Sequence, residues 1–569
     1  MQIITVDESR CVGCNACVRV CPVHANVTRL KDGTTDEFIT GIDSEACINC
    51  GECVKVCMHK ARGYKDNLQE FTETFESGKP MILIVAPAIR TSFPDGAWKV
   101  LLSWLRQNGN CTIYDVGYGA DICTFMYNKY MTENGGKKLV TQPCPAIVNY
   151  MQKYQPEKLQ YLSPVLSPAG CLAVWLRKYK NETKPMFMLS PCIDKTSEAQ
   201  REHAFDYNVT FRHLEKYVNQ KGIRWEDRVK FEFDAVEGSI GRLYPMPGGL
   251  KENLAMLNQG LVVRNAEGPH SVYDRLDRYF QTDDQQKPDV LDVLNCEYGC
   301  NHGTALPNEA ATLMEIESTM DDIATRSIRE TQGGFLGIGK FKRFKEFDKT
   351  LKLSDFMTKY HNERVHTKNP TMEDYTKIFD TMHKFDIASQ NVNCGACGYK
   401  TCRDMACAIF RGMNVRENCI YYLKHSLKSN YKKLKAVYDA CLEEMLKINQ
   451  VSIQISASQQ DILSGANDIS QKSRELCDNI SRLQKFCQSC QQYYQNKQAD
   501  SLTQEDFEKM QQFIMAIGSM TQSYYDVAKD FTDRSGDIHE QIQTMSVSLS
   551  DLSELSDSLQ NVMKQNAQA

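Results

Sequence analysis

The residues best suited to chemistry are cysteines. CVGCNACVRVCP sets Cys11, Cys14, Cys17 and Cys21 in the spacing C-x2-C-x2-C-x3-C-P, and CINCGECVKVC repeats it with Cys47, Cys50, Cys53 and Cys57. Three thiolates on a tight turn wrap one face of an iron–sulfur cube, and the fourth reaches across to a second cube. One [4Fe–4S] cluster is therefore expected on Cys11, Cys14, Cys17 and Cys57, and another on Cys47, Cys50, Cys53 and Cys21. Zinc knuckles are the rival reading, but zinc sites rarely use two tandem four-cysteine runs. Four more cysteines stand at the ends of apolar runs, at Cys144, Cys192, Cys296 and Cys300, and could surround one further cube. A fourth set, Cys394, Cys397, Cys402 and Cys419, has the spacing C-x2-C-x4-C-x16-C, with glycines at 395 and 398 that allow a tight wrap. Of the 24 cysteines this leaves Cys111, Cys123, Cys171, Cys407, Cys441, Cys477, Cys487 and Cys490, expected to be small buried hydrophobes.

The elements around these residues are those of a multidomain α+β protein. The chain has 569 residues, with 42% hydrophobic and 24% charged side chains and a net charge of −5. That is enough for three to four domains, and the charge balance excludes a dedicated nucleic-acid binder. Its beginning, MQIITVDESR, has no basic or apolar leader pattern, and the longest apolar run, PMILIVAPAI, is half of the roughly 20 residues that cross a bilayer. A cytoplasmic protein of a reducing environment is expected, with thiolates for iron rather than disulfides. From about 78 to 365, apolar runs (MILIVAP, CTIYDVG, LQYLSP, KPMFMLSP) alternate with helical stretches such as AVWLRKYK. This predicts α/β units with mainly buried strands, whose ends carry the cysteines.

Residues 1–75 resemble a bacterial two-cluster ferredoxin, with Pro22 in place and Met58 where the second proline belongs. PCP at Cys144, PCIDKTSE at Cys192 and C-x3-C at Cys296 and Cys300, in this order after a ferredoxin, resemble the three signature loops of [FeFe]-hydrogenases; APAIR (86–90) and GADI (119–122) agree. The resemblance implies an H-cluster, a cubane on Cys144, Cys192, Cys296 and Cys300, with Cys300 bridging to a diiron subcluster that carries CO, cyanide and a dithiolate. It also implies that Lys195 contacts a cyanide, a role suited to a cation in a pocket of low dielectric, and that Glu198 ends the motif or pairs with Lys195. H2 and protons would be the substrates, and a protein such as ferredoxin the redox partner.

The departures matter as much. The first loop of that family usually reads TSCCP, and its proton-carrying cysteine is Pro143 here, which has no acid–base group. Cys123, Met126, Tyr127 and Tyr130 stand where ordinary members place glutamates, and Ser190 and Leu294 replace two methionines. His302 is either a substitute proton carrier or a structural histidine. General acid–base help contributes about 10² to 10⁴-fold in rate, so slow turnover is expected. The pattern resembles the sensory (regulatory) [FeFe]-hydrogenases. The rival readings are a catalytic, ferredoxin-linked hydrogenase and a non-enzymatic Fe–S carrier or assembly protein without the diiron unit.

Residues 366–425 resemble the small [4Fe–4S] domain of corrinoid iron–sulfur proteins and sensory hydrogenases. The remainder, 426–569, lacks proline and carries seven-residue ladders, Ile455 to Leu483 and Met510 to Leu559. A helical coiled-coil hairpin turning near 495–506 is expected, similar in composition to chemotaxis signalling hairpins, for dimerisation or signalling to an unknown partner. The expected organisation is thus a ferredoxin domain (1–75), an H-cluster domain (76–365), an additional [4Fe–4S] domain (366–425) and the coil (426–569).

Overall fold

The computed structural model describes residues 2–457 apart from 35–36, 136, 309–310 and 333–340, together with scattered helical positions between 475 and 558. The chain divides into two units, one of residues 1–29, 39–375 and 391–414, the other of 30–38, 376–390 and 415–569.

The first unit begins with β1 (Ile4–Val6), which pairs antiparallel with β4 (Arg62–Tyr64). Between them lie α1 (Ala16–Arg19), the paired strands β2 (Asn26–Leu30) and β3 (Phe38–Ile42), and α2 (Glu52–Lys55). Both short helices start after a left-handed residue, Asn15 and Gly51, so the two cysteine runs repeat one turn.

Two parallel sheets follow. The larger has the order β6-β5-β8-β9, from β5 (Met81–Val85), β6 (Cys111–Asp115), β8 (Met186–Ser190) and β9 (Tyr207–Thr210). The smaller has the order β10-β11-β7, from β7 (Leu139–Val140), β10 (Val263–Glu267) and β11 (Val290–Leu294). Every residue of β5, β8 and β11 is buried. A parallel sheet covered on both faces requires this, and it explains why these strands read as unbroken apolar runs. Of the expected strands, LQYLSP differs. Pro156 opens a 3₁₀ turn over Pro156–Tyr161, leaving a lone bridge from Leu162 to Val140, because proline fixes φ and supplies no ladder donor.

Helices brace the strand ends. α3 (Val116–Glu133) packs closely on α5 (Pro168–Val174), which continues as a π turn over Trp175–Tyr179. GADI has a packing reason: a Cβ on Gly119 would stand 2.2 Å from the Pro168 carbonyl oxygen. Asp121, fully buried, accepts from the backbone N–H groups of Ser239 (2.7 Å) and Gly241 (2.6 Å) and pairs with Arg343. APAIR ends in Arg90, which pairs with Asp115 at 3.1 Å and Glu237 at 3.0 Å. Further along stand α4 (Pro145–Tyr154), α6 (Lys195–Glu202) and α7 (Cys402–Phe410).

The second unit is dominated by α8 (Ile420–Ala457). Lys384, fully buried, places its ammonium 4.0 Å from the centre of the Tyr421 ring, and His383 stacks on Tyr422. The expected coiled-coil hairpin lies mostly outside the described residues, as do its ladder positions Ile462, Ile469 and Leu476. Among those described, Leu483 is buried and Ile517 and Leu552 are half-buried. No helix of the described residues is long and apolar enough to cross a membrane.

Because backbone oxygen cannot retreat from an added methyl, Gly119→Ala is expected to destabilise the first unit by about 1–3 kcal/mol. Chemical denaturation followed by tryptophan fluorescence checks this.

Candidate iron–sulfur centres

Three strand ends build the central site. Cys144 caps the start of α4 just beyond β7, Cys192 stands two residues past β8, and Cys296 and Cys300 follow β11. The structure brings all four together. The thiols of Cys192 and Cys296 lie in the field of each other's set, with Cys144 and Cys300 among the neighbours of both. Burial pushes all four upward, Cys300 to about 12. Protons held that tightly leave only when metal replaces them. Backbone N–H groups of Asn295 and Ile147 point at Cys144 and oppose its shift. The C-x3-C loop owes its shape to Gly299, whose φ is +70° and whose Cβ would lie 2.1 Å from the Pro245 carbonyl oxygen. The next turn is tied to APAIR, since Thr91 Oγ1 donates to Asn301 Oδ1 at 2.9 Å.

Lys195, the first residue of α6, is 9% exposed. Its ammonium donates to Glu198, to Ser167 Oγ at 3.3 Å and to the Pro143 carbonyl at 3.5 Å. Burial works against its charge, but Glu198 outweighs burial and its pKa rises. Glu198 is itself fully buried and also accepts from Ser167. Of its two expected roles the structure shows the Lys195 partner. Pro143 offers the site a carbonyl and no proton. Below it Tyr127 accepts from the Gln142 N–H at 3.1 Å, and burial drives its phenol well above 10. Cys123 and Cys171 both donate to the Leu166 carbonyl at 3.3 Å and are buried as expected. His302 stands edge-on to Tyr298. Burial lowers its pKa, and its buried Nε2 has no hydrogen-bond partner among the described residues.

The amino-terminal cysteines are gathered in two groups. Cys17 lies in the field of Cys11 and Cys14, while Cys21 lies in that of Cys47, Cys50 and Cys53. Cys57 follows α2 by two residues. Backbone N–H groups aim at sulfur, from Thr40 to Cys11 (3.4 Å), Ala25 to Cys21 (3.3 Å) and Asn49 to Cys47 (3.4 Å). Such donors favour thiolate and tune a bound cluster. The second group adjoins the central site. The ring of Tyr273 lies in the field of Cys50, Cys144 and Cys296, and its hydroxyl bonds Asn295 at 2.7 Å. α4 clasps the same loop, with Lys153 Nζ on the Cys47 carbonyl at 2.7 Å and Tyr154 on that of Ala46 at 2.7 Å.

The comparisons agree with this geometry. Residues 79–268 match the model of the iron only hydrogenase large subunit, C-terminal domain, which takes in Cys144 and Cys192, and residues 10–61 match that of a 4Fe-4S dicluster domain. The large subunit of the periplasmic [Fe] hydrogenase of Nitratidesulfovibrio vulgaris is 28% identical over 284 residues, 44% of this chain and 66% of that protein. Iron hydrogenase 1 of Clostridium pasteurianum is 28% identical over 290 residues, 44% of this chain and 50% of that protein. Over this part of its length the chain is similar to the [FeFe]-hydrogenases.

Its cysteine motifs make it an iron–sulfur protein, and it spans one half to two thirds of the length of these two relatives. A [FeFe]-hydrogenase structure from Chlamydomonas reinhardtii aligns over 53% of this chain and all of its own, at 16% identity and a TM-score of 0.41. A stretch of 128 residues is 34% identical to the cytosolic Fe-S cluster assembly factor NAR1 of Encephalitozoon cuniculi, covering 22% of this chain and 34% of that one.

Residues 390–421 match an Fe–S cluster model that contains Cys394, Cys397, Cys402 and Cys419. The first three belong to the first unit and Cys419 to the second. Asn393 braces the set's helical start, its N–H donating to Cys402 Sγ at 3.3 Å and its Oδ1 accepting from the Cys402 N–H at 2.8 Å. This loop rests on the ferredoxin-like region: His24 faces the Tyr399 ring at 5.1 Å, and the Thr28 N–H donates to the Met413 carbonyl at 2.9 Å. Of the leftover cysteines, Cys111, Cys407 and Cys441 are only partly buried, contrary to expectation, although Cys111 packs against the core of the larger sheet. Cys477, Cys487 and Cys490 lie outside the described residues.

Lys195→Met leaves Glu198 buried without its cation, and a loss of about 3–5 kcal/mol is expected. The double variant K195M/E198Q should recover most of it; thermal unfolding of the single and double variants measures the difference.

Proposed function

We propose that this chain is a hydrogen-sensing [FeFe]-hydrogenase, which binds H2 at an H-cluster and cleaves it slowly. The reading is carried by one observation: four partly buried cysteines converge from three strand ends, and Lys195 turns its ammonium toward the carbonyl of Pro143, where an acid–base cysteine would stand. Cys144, Cys192, Cys296 and Cys300 would hold the cubane, with Cys300 bridging to the diiron unit. When bound, that group supplies the iron on which H2 is split heterolytically and the sink for its electrons. Lys195, held by Glu198 and Ser167, would offer its positive charge to the anionic ligands of that group. Pro143 can pass no proton, and the buried phenol of Tyr127 holds its own too tightly to serve near neutrality, so protons leave slowly.

Electrons would pass to the cubane of Cys21, Cys47, Cys50 and Cys53, then to that of Cys11, Cys14, Cys17 and Cys57, with a fourth at Cys394, Cys397, Cys402 and Cys419. A redox protein such as ferredoxin would exchange electrons with this relay, and the carboxy-terminal coil would carry dimerisation and output to an unknown partner. Two contacts support a hairpin: the Asn479 amide meets Met520, and Lys447 lies in the field of Asp551. Both pairs are centred near residue 499, within the polar stretch expected to form the turn. Cytoplasmic placement belongs to the same proposal.

A second reading, an Fe–S assembly protein without the diiron unit, is favoured by the likeness to the assembly factor. Infrared spectroscopy of protein matured with the diiron cofactor separates the two. CO and cyanide bands are expected, and their absence sinks the first reading. If Pro143 limits proton delivery, Pro143→Cys should raise H2 turnover in film voltammetry by about ten- to a hundredfold, whereas an unchanged current removes the explanation for slowness. A wild-type current as large as that of ordinary family members would remove the sensor reading itself.

A further inference from the structure

Arg62, on β4, turns its guanidinium inward and is 6% exposed. Nη2 donates to Cys17 Sγ at 3.2 Å, to the Thr40 carbonyl at 2.8 Å and to the Gly41 carbonyl at 3.2 Å. Nη1 is buried and has no hydrogen-bond partner among the described residues. The partners are thus a thiol and two carbonyls, and no carboxylate of the described residues pairs with this cation. An arginine stays charged at any pH where proteins fold, and a buried charge needs an answering one.

Among the described residues the anions in reach are the cysteine sulfurs, once they carry a cluster. The charge reaches Cys17 most directly and also opposes the burial shifts of Cys21 and Cys53, which belong to the other group. A clamp for the Thr40 and Gly41 carbonyls would need donors but no net charge, and would leave Nη1 idle. A cube held by four thiolates is anionic and gains one more negative charge on reduction. A fixed cation beside it therefore favours the reduced state.

We propose that Arg62 is a positioning residue for electrons, raising the reduction potential of the amino-terminal cubanes so that they retain electrons. The proposal rests on the assignment of cubanes to the first eight cysteines. The step is a one-electron reduction, its electron supplied in the test by dithionite through mediators.

In the full-length protein, with cubanes reconstituted from iron and sulfide, a potentiometric titration followed by electron paramagnetic resonance reads the midpoints without any diiron unit. Arg62→Gln is expected to keep its iron and lose about tenfold in electron affinity at one cubane, about 59 mV downward for a one-electron couple. Arg62→Lys, which keeps the charge, should stay within about threefold of wild type. Unchanged midpoints in R62Q overturn the proposal, as does a fall in R62K as large as that in R62Q. Should R62Q lose iron, R62K decides alone: a tenfold fall with full iron overturns the proposal, and a near wild-type midpoint supports it. Failure of the cluster assignment reads differently, since Cys17→Ser would then keep the wild-type iron content.

Discussion

A thiolate taken out of water needs positive charge beside it, and almost every feature of the first unit serves that need. Burial drives the thiols of Cys144, Cys192, Cys296 and Cys300 upward, and those of Cys17, Cys21, Cys47, Cys50 and Cys53 with them. Without metal these groups stay protonated at neutral pH. With iron they become the core of the molecule, so loading and stability are one equilibrium. Backbone N–H groups, Arg62 and Lys195 are the protein's own contribution to the same charge balance.

The strands decide where that balance is struck. Parallel strands buried on both faces end abruptly at loops, and those loops converge from β7, β8 and β11. The ferredoxin-like region is held against the same place by α4, with Tyr273 and Asn295 filling the gap. A rigid path between two cysteine groups results from ordinary core packing, with one aromatic ring in contact with the fields of both.

Much of this was legible in the sequence because cysteine spacing is a direct record of a turn around a cube. The nearness of Cys21 to Cys47, Cys50 and Cys53, the parallel-sheet character of MILIV and MFMLS, and the role of strand ends all follow from local pattern. What local pattern hides is pairing at a distance. Asp121 beneath residues 239–241 and Arg62 on Cys17 join positions whose partners have no sequence signature. Arg62 had one weak signal, a charged residue within a short strand at the end of a cluster motif. LQYLSP failed for the opposite reason, since its apolar content resembles a strand while Pro156 and Pro164 deny it a ladder.

The loop that carries Cys394, Cys397 and Cys402 bears on how such a chain matures. Its supports, His24 against Tyr399 and the Thr28 N–H on the Met413 carbonyl, come from segments made almost 400 residues earlier in synthesis. That surface follows directly on the turn ending at Cys21. A chain emerging from the ribosome thus presents the surface on which this loop rests well before the loop itself is made.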